Sequence, residues 1–101
     1  MRKIEDIKEL TPGTKVVLFQ ANVPTYLEFL MIHPHNSEYV LMLDSLSQNA
    51  TKHYIPNIIG SDHILQYFIY DNVDEVTAMH VKMLRDYANR LEQRLNSAKE
   101  V

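Results

Sequence analysis

The chain has no cysteine, so a disulfide framework and thiol chemistry are both excluded, and any zinc would have to be held by histidine and carboxylate alone. It has two glycines, too few for a glycine-rich phosphate cradle, and no nucleophile elbow is present. No apolar run approaches the ~20 residues of a membrane-spanning helix, and the opening Met1-Arg2-Lys3-Ile4-Glu5-Asp6 has no apolar signal-peptide core. The expectation is a cytoplasmic protein without membrane contact. Positive charge is not in excess: Lys and Arg number 10 against 13 Asp and Glu, a net −3, which argues against a chain built for non-specific binding to phosphate backbone. With a cytoplasmic chain expected, the sequon Asn49-Ala50-Thr51 is expected to be plain surface sequence and not a glycosylation site.

What is present is a chain of 101 residues, 46% apolar and 23% charged, which is ordinary for one globular domain with a single modest core. Its centre is Thr25 to Leu46. Two runs dense in apolar and β-favouring residues, TYLEFLMI and EYVLMLDSL, flank the break His33-Pro34-His35-Asn36-Ser37. That pattern predicts a β-hairpin with a longer loop. Strict alternation puts Leu27, Phe29 and Met31 on one face and Tyr26, Glu28, Leu30 and Ile32 on the other. The partner run alternates in the same way, so the hairpin is apolar on both faces and is expected to be covered on both, with Phe29, Leu41 and Leu43 buried.

Around this hairpin the other elements follow in order. Ile4, Ile7 and Leu10 suit a short amphipathic helix or turn, ended by Thr11-Pro12-Gly13. Lys15 to Ala21 reads as a strand and Asn22-Val23-Pro24 as a connector. Ser47 to Ala50 is a polar link into a strand from His53 to Ile59, interrupted by Pro56 and therefore an edge or a bulge. Gly60-Ser61-Asp62 turns the chain into a last strand, Ile64 to Tyr70. The fold expected is mostly β with a long C-terminal helix, an α+β chain. Its body is a small curled five-stranded antiparallel sheet, or an SH3-like or Sm-like barrel.

From Val73 to about Ala98 there is no glycine or proline, and Asp74 and Glu75 suit the positive end of a helix. In its first half an apolar arc runs from Met79 through Met83, Val76, Tyr87 and Leu84 to Val81, wide enough to be buried on two sides. In the second half it narrows. Val81, Leu84, Ala88, Leu91, Leu95 and Ala98 are spaced three and four apart, as alternating a and d positions of a heptad. A helix of about 26 residues spans ~39 Å, and a body of ~70 residues is roughly 28 Å across, so about 10 Å must overhang. Residues 1–72 are thus read as the β body. Residues 73–101 form a helix packed on it and reaching a partner, within one folding unit.

Residues for catalysis are not apparent. Asp44 and Glu28 are acids within apolar strands; buried, either would have a raised pKa, and otherwise both point to water at the sheet rim or pair with Lys or Arg. His33 and His35 have a spacing that can share a metal, but they lie in a probable loop with no third ligand in reach. His80, beside Val76 and Met83, suits partial burial against the sheet. No catalytic, cofactor or metal site is expected, and the chain is not expected to be an enzyme. Lys52-His53-Tyr54 places a cation, an imidazole and a phenol at the head of the fourth strand, the chemistry of single-strand binding. Lysine-histidine on strand four after a helix and three strands resembles the second motif of bacterial Sm-like RNA chaperones. The resemblance covers two residues and the order of elements. The chain departs from that family in lacking a glycine in strand two and in carrying its long helix at the C-terminus.

Two functions follow from this reading. The first is a non-catalytic interaction or regulatory module that self-associates, most simply as a dimer, or binds another protein, through Val81, Leu84, Ala88, Leu91 and Leu95. The alternative is a small barrel binding RNA or single-stranded nucleic acid through Lys52, His53 and Tyr54.

Overall fold

The computed structural model describes residues 1–60 and 64–99; Ser61 and Asp62 of the expected Gly60-Ser61-Asp62 turn, and His63, lie outside them. Six strands form one antiparallel sheet: β1 (Arg2–Lys3), β2 (Lys15–Gln20), β3 (Val23–Ile32), β4 (Tyr39–Asp44), β5 (Ala50–Tyr54) and β6 (Leu65–Ile69). Their spatial order is β1-β6-β2-β3-β4-β5. A 3₁₀ turn (Ile7–Glu9) and a short helix α1 (Ile55–Ile59) precede the long helix α2 (Val73–Lys99). The chain is α+β, as its patterning implies. The sheet is open and not a barrel, with β1 and β5 as its edges.

The two faces of the sheet carry different cores. Val16 and Leu18 of β2, Leu27 and Phe29 of β3, Val40 and Met42 of β4, and Tyr67 and Ile69 of β6 share the inner face with Ile4, Leu10 and Ile58. The register enforces this, because antiparallel partners such as Val16 and Leu27, or Phe29 and Met42, point the same way. Alternation sends Val17, Phe19, Phe68 and Tyr70 to the outer face, where Val76 of α2 caps them. Central strand β2 is therefore buried on both sides.

Several elements differ from the sequence reading for identifiable reasons. The fourth strand ends at Tyr54, and Ile55–Ile59 is a turn of helix with Pro56 in its first turn, where the missing N–H would be unsatisfied anyway. Ile58, from α1, is fully buried on the inner face. Gly60 ends α1 so closely that a Cβ there would sit 2.5 Å from the Pro56 carbonyl oxygen. Pro24 lies within β3 and is not part of a connector. The turn is Ala21-Asn22, both at positive φ (50° and 66°), which makes the β2–β3 hairpin tight. The Tyr26 carbonyl accepts from the Ser45 amide, so even-numbered β3 positions face β4. Two residues earlier, Pro24 points beyond the end of β4, where no ladder needs its donor.

The central hairpin also breaks its alternation. A register shift between Phe29 and Met31 inserts Leu30, so Met31 pairs with Leu41 on the outer face instead of following Phe29 inward. Phe29 is buried as expected, but Leu41 and Leu43 are only half-buried and Met31 is half exposed. The cover on that face comes from α2, whose root packs over β2, β6 and Tyr26.

Candidate interaction surface

The rotation of α2 is fixed at its root. Asn72 Oδ1 accepts from the Glu75 amide (3.1 Å) and satisfies one free donor of the first turn. Glu75 accepts in turn from the Asp71 amide (3.2 Å) and pairs with the Met1 amino group (3.2 Å). The Asp71 amide foremost, then the amino group, hold its carboxyl below the ordinary range. Val76 is fully buried, and Met79 and Met83 lie half-buried on the outer core. Phe19 meets Phe68 edge-on at 6.2 Å, and the His80 ring lies against Phe19 at 6.4 Å.

With Val76, Met79 and Met83 facing the sheet, the 100° step of a helix carries Val81, Leu84, Ala88, Leu91 and Leu95 roughly 120° round the axis. The broad arc expected to be buried on two sides is instead split. Its Met79–Met83–Val76 edge is covered, while Val81, Leu84 and Tyr87 are 40%, 49% and 48% exposed. Every residue from Leu84 to Ala98 is exposed, including Leu91 (44%) and Leu95 (55%). Val81, Leu84, Ala88, Leu91 and Leu95 thus form one outward line, beginning beside the body and ending well beyond it.

At the foot of that line is a depression of about 520 Å³ lined by Pro24, Tyr26, Asp44, Leu46, Tyr70 and Val73 among others. Tyr26 and Tyr70 meet edge-on at 5.7 Å on its floor. Burial, helped by the phenol of Tyr26 and the carboxylate of Glu28, pushes the Tyr70 hydroxyl pKa up. Leu46 stands at its rim, 96% exposed. Asp44 shapes this rim: its Oδ1 accepts from the Leu46 (2.9 Å) and Ser47 (3.0 Å) amides. Those bonds, Ser47 first, hold the Asp44 carboxyl below its ordinary range, the opposite of the shift expected for a buried acid. Sequence reasoning missed this depression. Its one local signal was Leu46, a lone leucine in the polar stretch Asp44–Gln48.

The residues Lys52, His53 and Tyr54 are parted by the alternation of β5. Lys52 and Tyr54 point outward, where they meet Tyr39 from β4: the Lys52 ammonium lies 4.8 Å from the Tyr39 ring centre, and the Tyr39 and Tyr54 rings are 5.2 Å apart. His53 points inward. Its Nε2 lies 2.7 Å from the Thr51 hydroxyl and its Nδ1 2.7 Å from the Tyr67 hydroxyl. Because Thr51 donates its own proton to the Met42 carbonyl (3.2 Å), His53 donates from Nε2 and accepts from Tyr67 at Nδ1. That chain satisfies a neutral imidazole, and desolvation lowers the His53 pKa. Burial pushes the Tyr67 phenol up to about 12. His53 is therefore half-buried on the inner face with both ring nitrogens engaged, whereas Lys52 and Tyr54 are exposed.

His33 and His35 adjoin each other (6.0 Å between ring centres), with the His35 amide donating to His33 Nδ1 (3.1 Å). Among the described residues no group of three His, Asp or Glu side chains could hold a metal ion. Among the described residues no helix is long and apolar enough to cross a membrane. No protein-family model, curated protein or solved structure matches the chain.

Proposed function

We propose that the protein is a non-catalytic interaction module that joins a second copy of itself through the outward line of α2. One observation carries the reading: Leu84, Leu91 and Leu95 lie in line on a helix whose sheet-facing side is a different one. Left in water, they form an apolar stripe that no described residue of their own chain covers. The leucines are 44–55% exposed, so covering each adds about half of the roughly 1.5–3 kcal/mol of a full burial, and three from each chain work against the cost of association. A closed two-fold pair is the simplest assembly. Light scattering at ~50 μM is expected to give twice the chain mass for the wild type and the chain mass for Leu91→Glu, with the variant's circular dichroism unchanged. A wild type that is monomeric at that concentration overturns the proposal.

A second reading rests on the Lys52–Tyr39–Tyr54 cluster, an exposed cation beside two rings on an edge of the sheet. That chemistry suits a stacked base and its phosphate. Wild-type protein should then bind a short labelled RNA at ~50 mM salt, and Lys52→Glu should weaken binding and flatten its salt dependence. Absence of binding up to ~100 μM excludes this reading.

A further inference from the structure

We infer that the two copies pair with their α2 helices antiparallel, in the one register that sets Arg85 of each copy beside Glu92 of the other. This rests on the self-association proposed above and adds its geometry. Taking Val81 as an a position makes Leu84, Leu91 and Ala98 d positions, and Ala88 and Leu95 a positions. Arg85 and Glu92 then fall at e, on the side of the line away from the sheet-facing Val76 and Met83. Tyr87 and Arg94 fall at g, on the nearer side.

In an antiparallel pair each a residue meets a d residue, and charged flanks meet e to e and g to g. Three registers keep most of the leucines in contact. In the first, Val81 meets Leu91 and Leu84 meets Ala88; this sets Arg85 against Arg85 of the second copy and puts Thr77 against Leu95. Another register, with Leu91 against Leu95, sets Glu92 against Glu92 and Arg94 against Arg94. Only the register between them pairs all six apolar positions with one another: Val81 on Ala98, Leu84 on Leu95, Ala88 on Leu91, each twice. It also places Arg85 opposite Glu92 twice, and brings Arg94 over the Tyr87 ring, which Arg90 already approaches within its own chain (5.9 Å). A parallel pair would stack Ala88 on Ala88, a thin layer, and bring no acid against a base: its flanks would be His80 with Arg85 and Tyr87 with Glu92. Charge complementarity and side-chain volume therefore select the same arrangement.

The absence of native cysteine makes the test clean. Leu84→Cys and Leu95→Cys are prepared separately, one with a short tag, and oxidised alone and mixed. In the inferred register residue 84 of one copy lies some 11 positions along the axis from residue 84 of the other, about 16 Å, beyond the reach of a disulfide. The mixture should give the heterodimer disulfide, and each variant alone should not. Self-cross-linking of both variants alone means a parallel pair and overturns this inference while leaving self-association standing. A wild type that dimerises, with a mixture that does not cross-link, also overturns it. A monomeric wild type overturns the self-association beneath it. A charge swap keeps the test decisive where a cysteine weakens the pair. Arg85→Glu and Glu92→Arg should each raise the dissociation constant by ~10-fold, and the double variant should return to within ~3-fold of wild type. Failure of the double variant to recover rules out this register.

Discussion

His53 shows how one inward side chain ties folding to pH. Its ring is neutral in the chain from Tyr67 to the Met42 carbonyl, and burial keeps its pKa below the ordinary value. In the unfolded chain it titrates near 6.5. As pH falls through that value the unfolded state takes up a proton that the folded state refuses, so stability is full above about pH 6.5 and declines below it. Urea unfolding at pH 7.5 and 5.5 should show this loss, and His53→Gln should flatten it. A wild type equally stable at both values contradicts the arrangement. Phe29 tests packing at the same scale: buried on the inner face against Met42, its truncation to Ala should cost ~3–5 kcal/mol by denaturant unfolding, with Leu43→Ala costing much less because Leu43 is half-exposed. The apolar character of these positions was plain in the sequence, and Phe29 was legible as core. The inward turn of His53 was not, because it depends on His53 pairing with Val40, a register set by long-range strand contacts.

Single elements were legible where a local pattern suffices and obscure where the neighbours decide. The β2 run, the two arms of the hairpin, the last strand and α2 are visible from composition and spacing alone. By contrast, β1 is two residues long and exists only because β6 offers an edge to Arg2 and Lys3. Proline has two meanings that a single chain does not distinguish. Pro56 reads as an interrupted strand but starts α1, and Pro24 reads as a connector but sits inside β3 past the end of its neighbour. Gly60 provides the test for α1. A methyl group there would crowd backbone, not a flexible side chain, so Gly60→Ala should force α1 to shift and loosen Ile58 from the inner core. The expected loss is on the order of 1–3 kcal/mol, measured as a lower denaturant midpoint at unchanged slope. An unchanged midpoint would mean that α1 is not held against the sheet.

As a whole the molecule is a compact sheet with a lever. Its radius of gyration is 16.2 Å, against roughly 13 Å for a rounded domain of this length, and its long axis is 56 Å where the other two are 27 and 25 Å. The overhang was legible from counting alone, since a helix free of glycine and proline cannot fold back on a short body. Its orientation was not: which side of α2 meets the sheet is decided by Val17 and Phe19, far away in sequence, together with Phe68 on the strand just before it. The lever has a consequence for local unfolding. Among the described side chains of α2 none is buried after Val76 and none is even partly buried between Leu84 and Ala98, so the outer stretch is held by its own backbone hydrogen bonds, at a length where isolated helices are marginal in water. Amide hydrogen exchange along α2 should therefore be graded in the dilute protein, slow near Val76 and fast toward Leu95. Where two copies pair as proposed, raising the protein concentration should slow the outer amides and leave the inner ones as they were, so that the exchange rate of the tip reports how often it is held.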